Sequence, residues 1–116
     1  MKHNHDYETL TMNETQLVKM ILQYLHLKGV FAFRNNTGMH ISEYKGTRRA
    51  VRFGQPGSAD ILGVIKHGRA LAIEAKVKPN KPTVTQAAWL QRFSEAGGLA
   101  IIAYNLDDVE KWEHVL

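Results

Sequence analysis

An acid and an amine stand two positions apart at the end of an otherwise apolar stretch of the sequence. The run Ala70-Leu71-Ala72-Ile73 leads directly into Glu74 and Lys76. Because side chains alternate between the two faces of a strand, this spacing points both charged groups to the same face. Asp60 opens the preceding apolar stretch, directly after a turn-forming Gly57-Ser58. The chemistry of this set depends on whether the two acids meet.

Whether Asp60 meets Glu74 depends on the length of the hairpin turn between the two strands. A two-residue turn would place Asp60 opposite Ala75, which puts the two carboxylates on opposite faces of the sheet. A three-residue turn of Lys66-His67-Gly68 would place Asp60 directly opposite Glu74. Its final glycine suits the left-handed backbone that such a turn requires. We therefore expect the three-residue turn, or a bulge with the same effect.

Two carboxylates at cross-strand distance repel each other in a partly dry site, so another charge must offset the repulsion. A divalent cation is the economical explanation, and hard oxygen ligands favour Mg²⁺ or Mn²⁺. With a phosphate as a further ligand, such an ion would polarise the phosphate and supply a hydroxide nucleophile. Lys76 would orient that water or stabilise the developing charge. The alternative is purely structural, with Glu74 paired to Lys76 and Asp60 capping a turn.

Helical and strand patterns alternate in the elements that must position these residues. Leu17, Ile21 and Leu25 recur at helical spacing and predict a first helix that stops near Gly29. The later strand, helix and strand form a crossover unit, which is right-handed and makes its two strands parallel. The predicted fold class is α/β, a single domain with a mixed sheet flanked by helices. The predicted helices cover about residues 13–28, 84–96 and 106–114, and the predicted strands about 30–34, 50–53, 59–65, 69–76 and 99–104.

Basic residues concentrate in two segments near the candidate site. The chain has 15 Lys and Arg against 11 Asp and Glu, and this net charge of +4 suits a polyanionic partner such as DNA. We interpret the basic segment before Asp60 as a loop or ribbon that lies over the domain, where it would neutralise phosphates. The alternative for each basic cluster is a solvated surface loop. The alternative for Arg34 and Asn35 is a role in the turn that ends the first strand. The candidate DNA-binding residues are Arg34, Asn35, Lys45, Arg48, Arg49, Arg52, Lys78 and Lys81.

Composition narrows the class of protein further. Hydrophobic residues make up 44% of the chain, as in an ordinary globular domain. Cysteine is absent, which excludes disulfides and thiolate metal sites, and the six histidines lack the paired spacing of a zinc site. No apolar run is long enough to span a bilayer. Residues 1–12 are polar, and we expect them to be frayed; they lack the apolar stretch of a secretory signal, so we expect a cytoplasmic protein.

The same residues resemble the PD-(D/E)XK nuclease superfamily. Ala59-Asp60 corresponds to its proline-aspartate element, with alanine in place of proline, and Glu74-Ala75-Lys76 corresponds to its (D/E)XK element. Within that superfamily the sequence most resembles the virus-type replication-repair nuclease family, VRR-NUC. Glu14 on the first helix and Gln86 at the start of the crossover helix complete the likeness, which covers about residues 14–104. The resemblance implies a restriction-endonuclease-like αβββαβ core.

The resemblance also implies roles for the site residues. Asp60, Glu74 and the backbone carbonyl of Ala75 would bind Mg²⁺ or Mn²⁺, and Lys76 would assist the nucleophilic water. The activity implied is that of a structure-selective endonuclease on branched DNA, including four-way Holliday junctions, in DNA repair in a bacterium or phage-infected cell. Family members of this size often form homodimers, and a symmetric dimer would present two active sites to two strands. The alternatives are a non-catalytic DNA-binding module and a small restriction-type endonuclease.

Two of the family positions have an equally good structural explanation. The resemblance implies that Glu14 holds a second ion or a metal-bound water, and that Gln86 steadies the site near Lys76 or the phosphate. Glu14 also stands three residues after Thr11, and Gln86 three residues after Thr83, which is the spacing of a helix capping box. Catalysis and capping both remain open for these two residues.

Overall fold

The computed structural model describes residues 12–116, apart from the side chain of Met39. Apart from an additional pair of strands within residues 38–53, its order of elements is the predicted helix, three strands, helix, strand and helix. In chain order the elements are α1 (Glu14–Leu27), β1 (Phe31–Arg34), β2 (Gly38–Tyr44), β3 (Thr47–Phe53), β4 (Ile61–Val64), a 3-10 turn (Lys66–Gly68), β5 (Ala70–Ala75), α2 (Val84–Glu95), β6 (Leu99–Ala103), α3 (Asp107–Glu110) and a second 3-10 turn (Glu113–Val115).

Four strands form one mixed sheet in the order β1-β4-β5-β6. The pairs β1–β4 and β4–β5 are antiparallel, and β5–β6 is parallel. The parallel pair is joined by α2, as a strand–helix–strand crossover requires. The prediction of an α/β fold with a mixed sheet is therefore confirmed. Within residues 12–116, no helix is both long and apolar enough to cross a bilayer.

The hairpin of β4 and β5 has the register that the three-residue turn predicts. Ile61 pairs with Ile73, and the turn Lys66–Gly68 has three residues. Its last residue, a glycine, has a φ of 78°, the left-handed backbone that glycine adopts without strain. Extending the pairing by one residue places Asp60 opposite Glu74, on the same face of the sheet. The expected register is confirmed.

Helices pack on both faces of the sheet because its apolar side chains alternate between the two faces. The larger core lies between the sheet and the helices α1 and α3, and its members include Leu17 and Ile21 from α1 and Ile61 and Ile73 from the sheet. The smaller core lies on the opposite face, under α2. Its fully covered members are Ala59, Ala72 and Leu90. Glu74 follows Ala72 by two residues, so the candidate site belongs to the α2 side of the sheet.

The strands β2 and β3 form a separate two-stranded sheet, here called the ribbon, which comprises residues 38–53. Every described side chain of the ribbon is exposed. The radius of gyration is 16.0 Å. A compact domain of this length would have roughly 13 Å. The prediction that this segment lies over the domain is therefore wrong, and the predicted strand at residues 50–53 is one half of a longer hairpin.

Two predicted helix ends differ from the structure. The N-cap of α1 is Asn13, whose side chain accepts from the Gln16 backbone N–H at 2.8 Å, while Gln16 Oε1 accepts from the Asn13 backbone N–H at 3.0 Å. Asn13 and Gln16 thus form the capping box that was predicted for Thr11 and Glu14. Thr11 itself lies outside the described residues. The last helix is shorter than predicted because the backbone of Trp112 leaves the helical region, with φ −98° and ψ 7°.

Candidate active site

Asp60 and Glu74 are joined by two hydrogen bonds that cross between the strand ends. The backbone N–H of Asp60 donates to Glu74 Oε1 at 3.2 Å. The backbone N–H of Ala75 donates to Asp60 Oδ2 at 2.9 Å. Each carboxylate is thus oriented by the backbone of the other strand, while Asp60 Oδ1 stays outside these bonds. The two acids are fixed side by side at the end of the hairpin.

The Lys76 ammonium completes the cluster. Its Nζ lies 3.5 Å from Glu74 Oε2, and both residues are buried, with exposed fractions of 8% for Lys76 and 2% for Glu74. Burial, followed by the negative charge of Asp60, raises the pKa of the Glu74 carboxyl to about 7, although Lys76 acts in the opposite direction. The Lys76 backbone N–H donates to the Ala103 carbonyl at 2.9 Å, which holds this residue beside β6.

Asn35 fixes the segment that leads into Asp60. Its side-chain amide donates to Ser58 Oγ at 2.8 Å and to the Ala59 carbonyl at 2.9 Å. Its backbone N–H donates to the Asp60 carbonyl at 2.7 Å. Both amide hydrogens are therefore used inside the protein, and these bonds match the turn role that was weighed against DNA contact. No local pattern indicates this three-point clamp, because Asn35 is 23 to 25 residues away from its partners.

Gly57 allows the same segment to pass close to the start of α2. Its φ is 79°, and a Cβ at this position would lie 2.7 Å from Thr85 Cγ2 and 2.8 Å from the Thr85 carbonyl oxygen. Side chains larger than hydrogen would push the segment away from the helix or strain the backbone. Gly57 and Asn35 therefore hold the approach to Asp60 from two sides.

Glu14 and Gln86 occupy helix starts. Gln86 forms the predicted capping box, with Thr83 N–H donating to Gln86 Oε1 at 2.9 Å and Gln86 N–H donating to Thr83 Oγ1 at 3.1 Å. Glu14 begins α1 and is half-buried. Among residues 12–116, no three His, Asp or Glu side chains form a group that could hold a metal ion. Glu14 therefore does not join Asp60 and Glu74 in a three-acid cluster.

The remaining predicted DNA-binding residues are exposed basic side chains. Four of them stand on the ribbon, one ends β1, and two lie in the loop that follows Lys76. Their exposure leaves them accessible to a polyanion. They are Lys45, Arg48, Arg49 and Arg52 on the ribbon, Arg34 in β1, and Lys78 and Lys81 in the loop.

The donor set suits a hard divalent cation. Mg²⁺ usually keeps several waters and takes one or two carboxylates, with substrate phosphate as a further ligand. Asp60 and Glu74 supply two oriented carboxylates, and the pKa of about 7 at Glu74 reflects the cost of placing two negative charges together in a buried site. A cation there would offset that cost. The residues present therefore fit Mg²⁺ or Mn²⁺.

Comparison with known proteins supports the fold. No protein-family model matches the chain. No curated protein sequence matches it either. A solved structure described as a VRR_NUC domain superimposes with a TM-score of 0.62 at 19% sequence identity, covering 87% of this chain and 94% of that chain. The likeness to VRR-NUC is thus confirmed at the level of the fold: the chain has the mixed sheet and flanking helices of a VRR_NUC domain.

Proposed function

We propose that this protein is a metal-dependent DNA endonuclease that hydrolyses phosphodiester bonds at the site of Asp60, Glu74 and Lys76. The observation that carries the proposal is the convergence of two cross-bonded carboxylates and a buried ammonium on one face of the sheet. The fold shared with a VRR_NUC domain, a name that denotes a nuclease, supports the same conclusion.

The residues of the site would have two separate roles in hydrolysis, metal binding and stabilisation of charge. Asp60, Glu74 and the carbonyl of Ala75 would hold Mg²⁺ or Mn²⁺, which when bound supplies Lewis acidity and a water of lowered pKa. Lys76, held beside Glu74, would donate hydrogen bonds to the attacking water or to the charge that develops on the phosphate. Because Glu74 and Lys76 are almost fully buried, their charges act in a medium that screens them less than bulk water.

The substrate we propose is branched DNA, including four-way junctions, cut by a homodimer that places one site on each of two strands. The net charge of +4 and the exposed basic side chains of the ribbon and of the loop after Lys76 support a nucleic-acid substrate. The preference for branches follows from the VRR-NUC resemblance. A linear-duplex cutter of restriction type on the same fold is the competing activity.

One cleavage panel tests the proposal. Linear, flap, splayed and four-way DNA are incubated with Mg²⁺, Mn²⁺ or chelator, and products are resolved on denaturing gels. We expect cutting only with metal, fastest on branched DNA. The variants Asp60→Asn and Glu74→Gln should each lose at least about a hundredfold in rate.

Glu95→Gln is the matched control, because Glu95 is an exposed acid at the end of α2. Its rates should equal those of the wild type. DNA binding without cleavage in any divalent ion would contradict the proposal and favour a non-catalytic DNA-binding module. Equal rates on linear and branched DNA would contradict the branch preference alone.

A further inference from the structure

We infer that the ribbon is an arm that binds a groove of duplex DNA beside the cut, so that efficient cutting requires a double-stranded arm on one side of the scissile phosphate. The ribbon is the two-stranded sheet of residues 38–53, separate from the main sheet. The cutting part of this inference rests on the proposed function, whereas the binding part can be tested without it.

The ribbon carries most of the excess positive charge of the chain. It contains four basic residues and one acid, Glu43, which gives a net charge of +3, while the whole chain has +4. The remaining 100 residues are therefore close to neutral. An exposed segment with this charge density is complementary to a phosphate backbone and unsuited to contact with a second copy of itself.

The register spreads the guanidinium groups over both faces of the ribbon. Arg49 pairs with Ser42 and Arg48 pairs with Glu43. Because successive side chains alternate between the two faces, Arg48 and Arg49 point to opposite faces. Arg52 lies four residues after Arg48 and shares its face. Arginines on both faces can reach phosphates on both walls of a groove.

The size of the ribbon matches a DNA groove. Each strand has seven residues. Such a strand is about 23 Å long at roughly 3.3 Å per residue. This length corresponds to about 7 base pairs at roughly 3.4 Å per pair. A two-stranded ribbon fits the major groove, which is about 12 Å wide.

Exposed apolar side chains stand between the arginines. Ile41, Tyr44, Val51 and Phe53 have exposed fractions of 50%, 73%, 48% and 47%. An isolated two-stranded hairpin is at best marginally stable in water, so contact with a bound surface would stabilise it. Base edges, thymine methyl groups and sugars offer apolar contacts between the phosphates of a groove. DNA thus satisfies both the cationic and the apolar side chains.

The base of the ribbon connects it directly to the candidate site. A Cβ on Gly54 would lie 2.7 Å from Thr37 Cγ2 and 3.1 Å from the Asn36 carbonyl oxygen, so the two ends of the ribbon cross in close contact. A cleft of about 300 Å³ lies at this crossing, and Arg52 and Gly57 both line it. Because Gly57 belongs to the segment held against α2, DNA on the ribbon would have a defined position relative to Asp60.

The first test measures binding in chelator, where no cutting occurs. The variant with Arg48, Arg49 and Arg52 all changed to Ala is compared with the wild type on a labelled duplex by fluorescence anisotropy across a salt series. Each phosphate contact contributes about −0.9 to the slope of log affinity against log salt, so the slope should become shallower by about 2 to 3. The matched control changes Lys19, Lys66 and Lys111 to Ala, which removes the same charge from exposed positions outside the ribbon. Its slope should change by less than about 1.

The second test measures cutting as a function of arm length. For the wild type, the rate should rise as a duplex arm is lengthened from about 2 to about 7 base pairs and then level off. The ribbon variant should lose this dependence, while the control keeps it. Wild-type binding with no cutting of any substrate would overturn the proposed function and the cutting part of the ribbon inference, but would leave its binding part standing.

Three results would overturn the ribbon inference itself. The first is an unchanged salt slope in the ribbon variant. The second is equal affinity of the wild type for duplex and single-stranded DNA. The third is a ribbon variant that sediments as a monomer where the wild type is a dimer, with its DNA affinity per protomer unchanged. The third would assign the ribbon to contact between copies of the chain.

Discussion

The Lys76 ammonium lies 3.5 Å from Glu74 Oε2 in a place where both side chains are almost fully buried. An amine and a carboxylate that are both removed from water depend on each other, because either one alone would be an unpaired buried charge. Lys76 therefore has two effects that an experiment can separate: its charge lowers the pKa of Glu74, and it presents a cation to the reacting phosphate.

Replacing the buried amine should affect both the chemistry and the acid beside it. We expect Lys76→Met to lower kcat by at least about a hundredfold, since a charge that stabilises the transition state is lost. The pKa of Glu74 should rise further, because the positive charge of Lys76 lowers it. Single-turnover kinetics measures the first effect and a pH titration of metal binding the second. Lys66→Met, at an exposed lysine in the hairpin turn, should leave both unchanged.

Metal binding should depend on pH through Glu74. Its pKa is raised to about 7, so the metal-free protein holds a proton there at lower pH, and a cation must displace that proton. Mg²⁺ or Mn²⁺ affinity should therefore rise by up to about tenfold per pH unit below pH 7 and level off above it. Calorimetry in two buffers of different ionisation enthalpy should detect about one proton released near pH 6 and almost none near pH 8. Identical heats in both buffers at pH 6 would rule out this linkage.

The close passage of Gly57 along α2 should be necessary for activity. We expect Gly57→Ala to lower the cleavage rate at least about tenfold, because its Cβ would overlap Thr85 and displace the segment to Asp60. Gly29→Ala is the matched control: Gly29 has a similar φ of 76°, but a Cβ there meets nothing within 4 Å. Gly29→Ala should lose about 1 kcal/mol of stability from the left-handed backbone, and Gly57→Ala should lose more because of its overlap with Thr85, as measured by urea unfolding. Equal activity losses in the two variants would mean that backbone strain, and not the contact with α2, is responsible.

Asn35 should act on the rate and not on DNA affinity. Asn35→Ala removes both side-chain donors to Ser58 and Ala59, so the segment that leads into Asp60 is held less firmly, although the backbone bond from residue 35 to the Asp60 carbonyl remains. We expect kcat to fall by about ten- to a hundredfold with KM nearly unchanged. The exposed neighbour Asn36 provides the control, and Asn36→Ala should keep wild-type kinetics. A raised KM with normal kcat would instead identify Asn35 as a DNA contact.

The hairpin that carries the acids could be predicted from sequence because its information is local. Gly68 indicated a left-handed turn position, and turn length together with strand alternation fixed the facing of Asp60 and Glu74. The boundaries were less accurate: Asp60 and Lys76 lie one residue outside the strands in which they were expected. Strand ends depend on backbone pairing across the sheet, which the sequence does not display.

The ribbon was only partly predicted, for two physical reasons. Its two-residue turn, Lys45-Gly46, has φ values of 50° and 78°, and Lys-Gly is a weaker hairpin signal than Asn-Gly. Polar and apolar residues also occur on both of its faces, so no alternation distinguishes a buried side. The clamp by Asn35 and the contact of Gly57 with Thr85 join residues distant in sequence, and a single sequence gives no indication of such pairs.

The three-residue turn of the hairpin has a consequence for recognising related chains. Thirteen residues separate Asp60 from Glu74, an odd number, and the two acids face the same side only while that count stays odd. Lengthening or shortening the hairpin by two residues preserves the alignment of the acids, whereas a change of one reverses it. The parity of this spacing is therefore a more reliable criterion for an intact site than the identity of any residue in the turn.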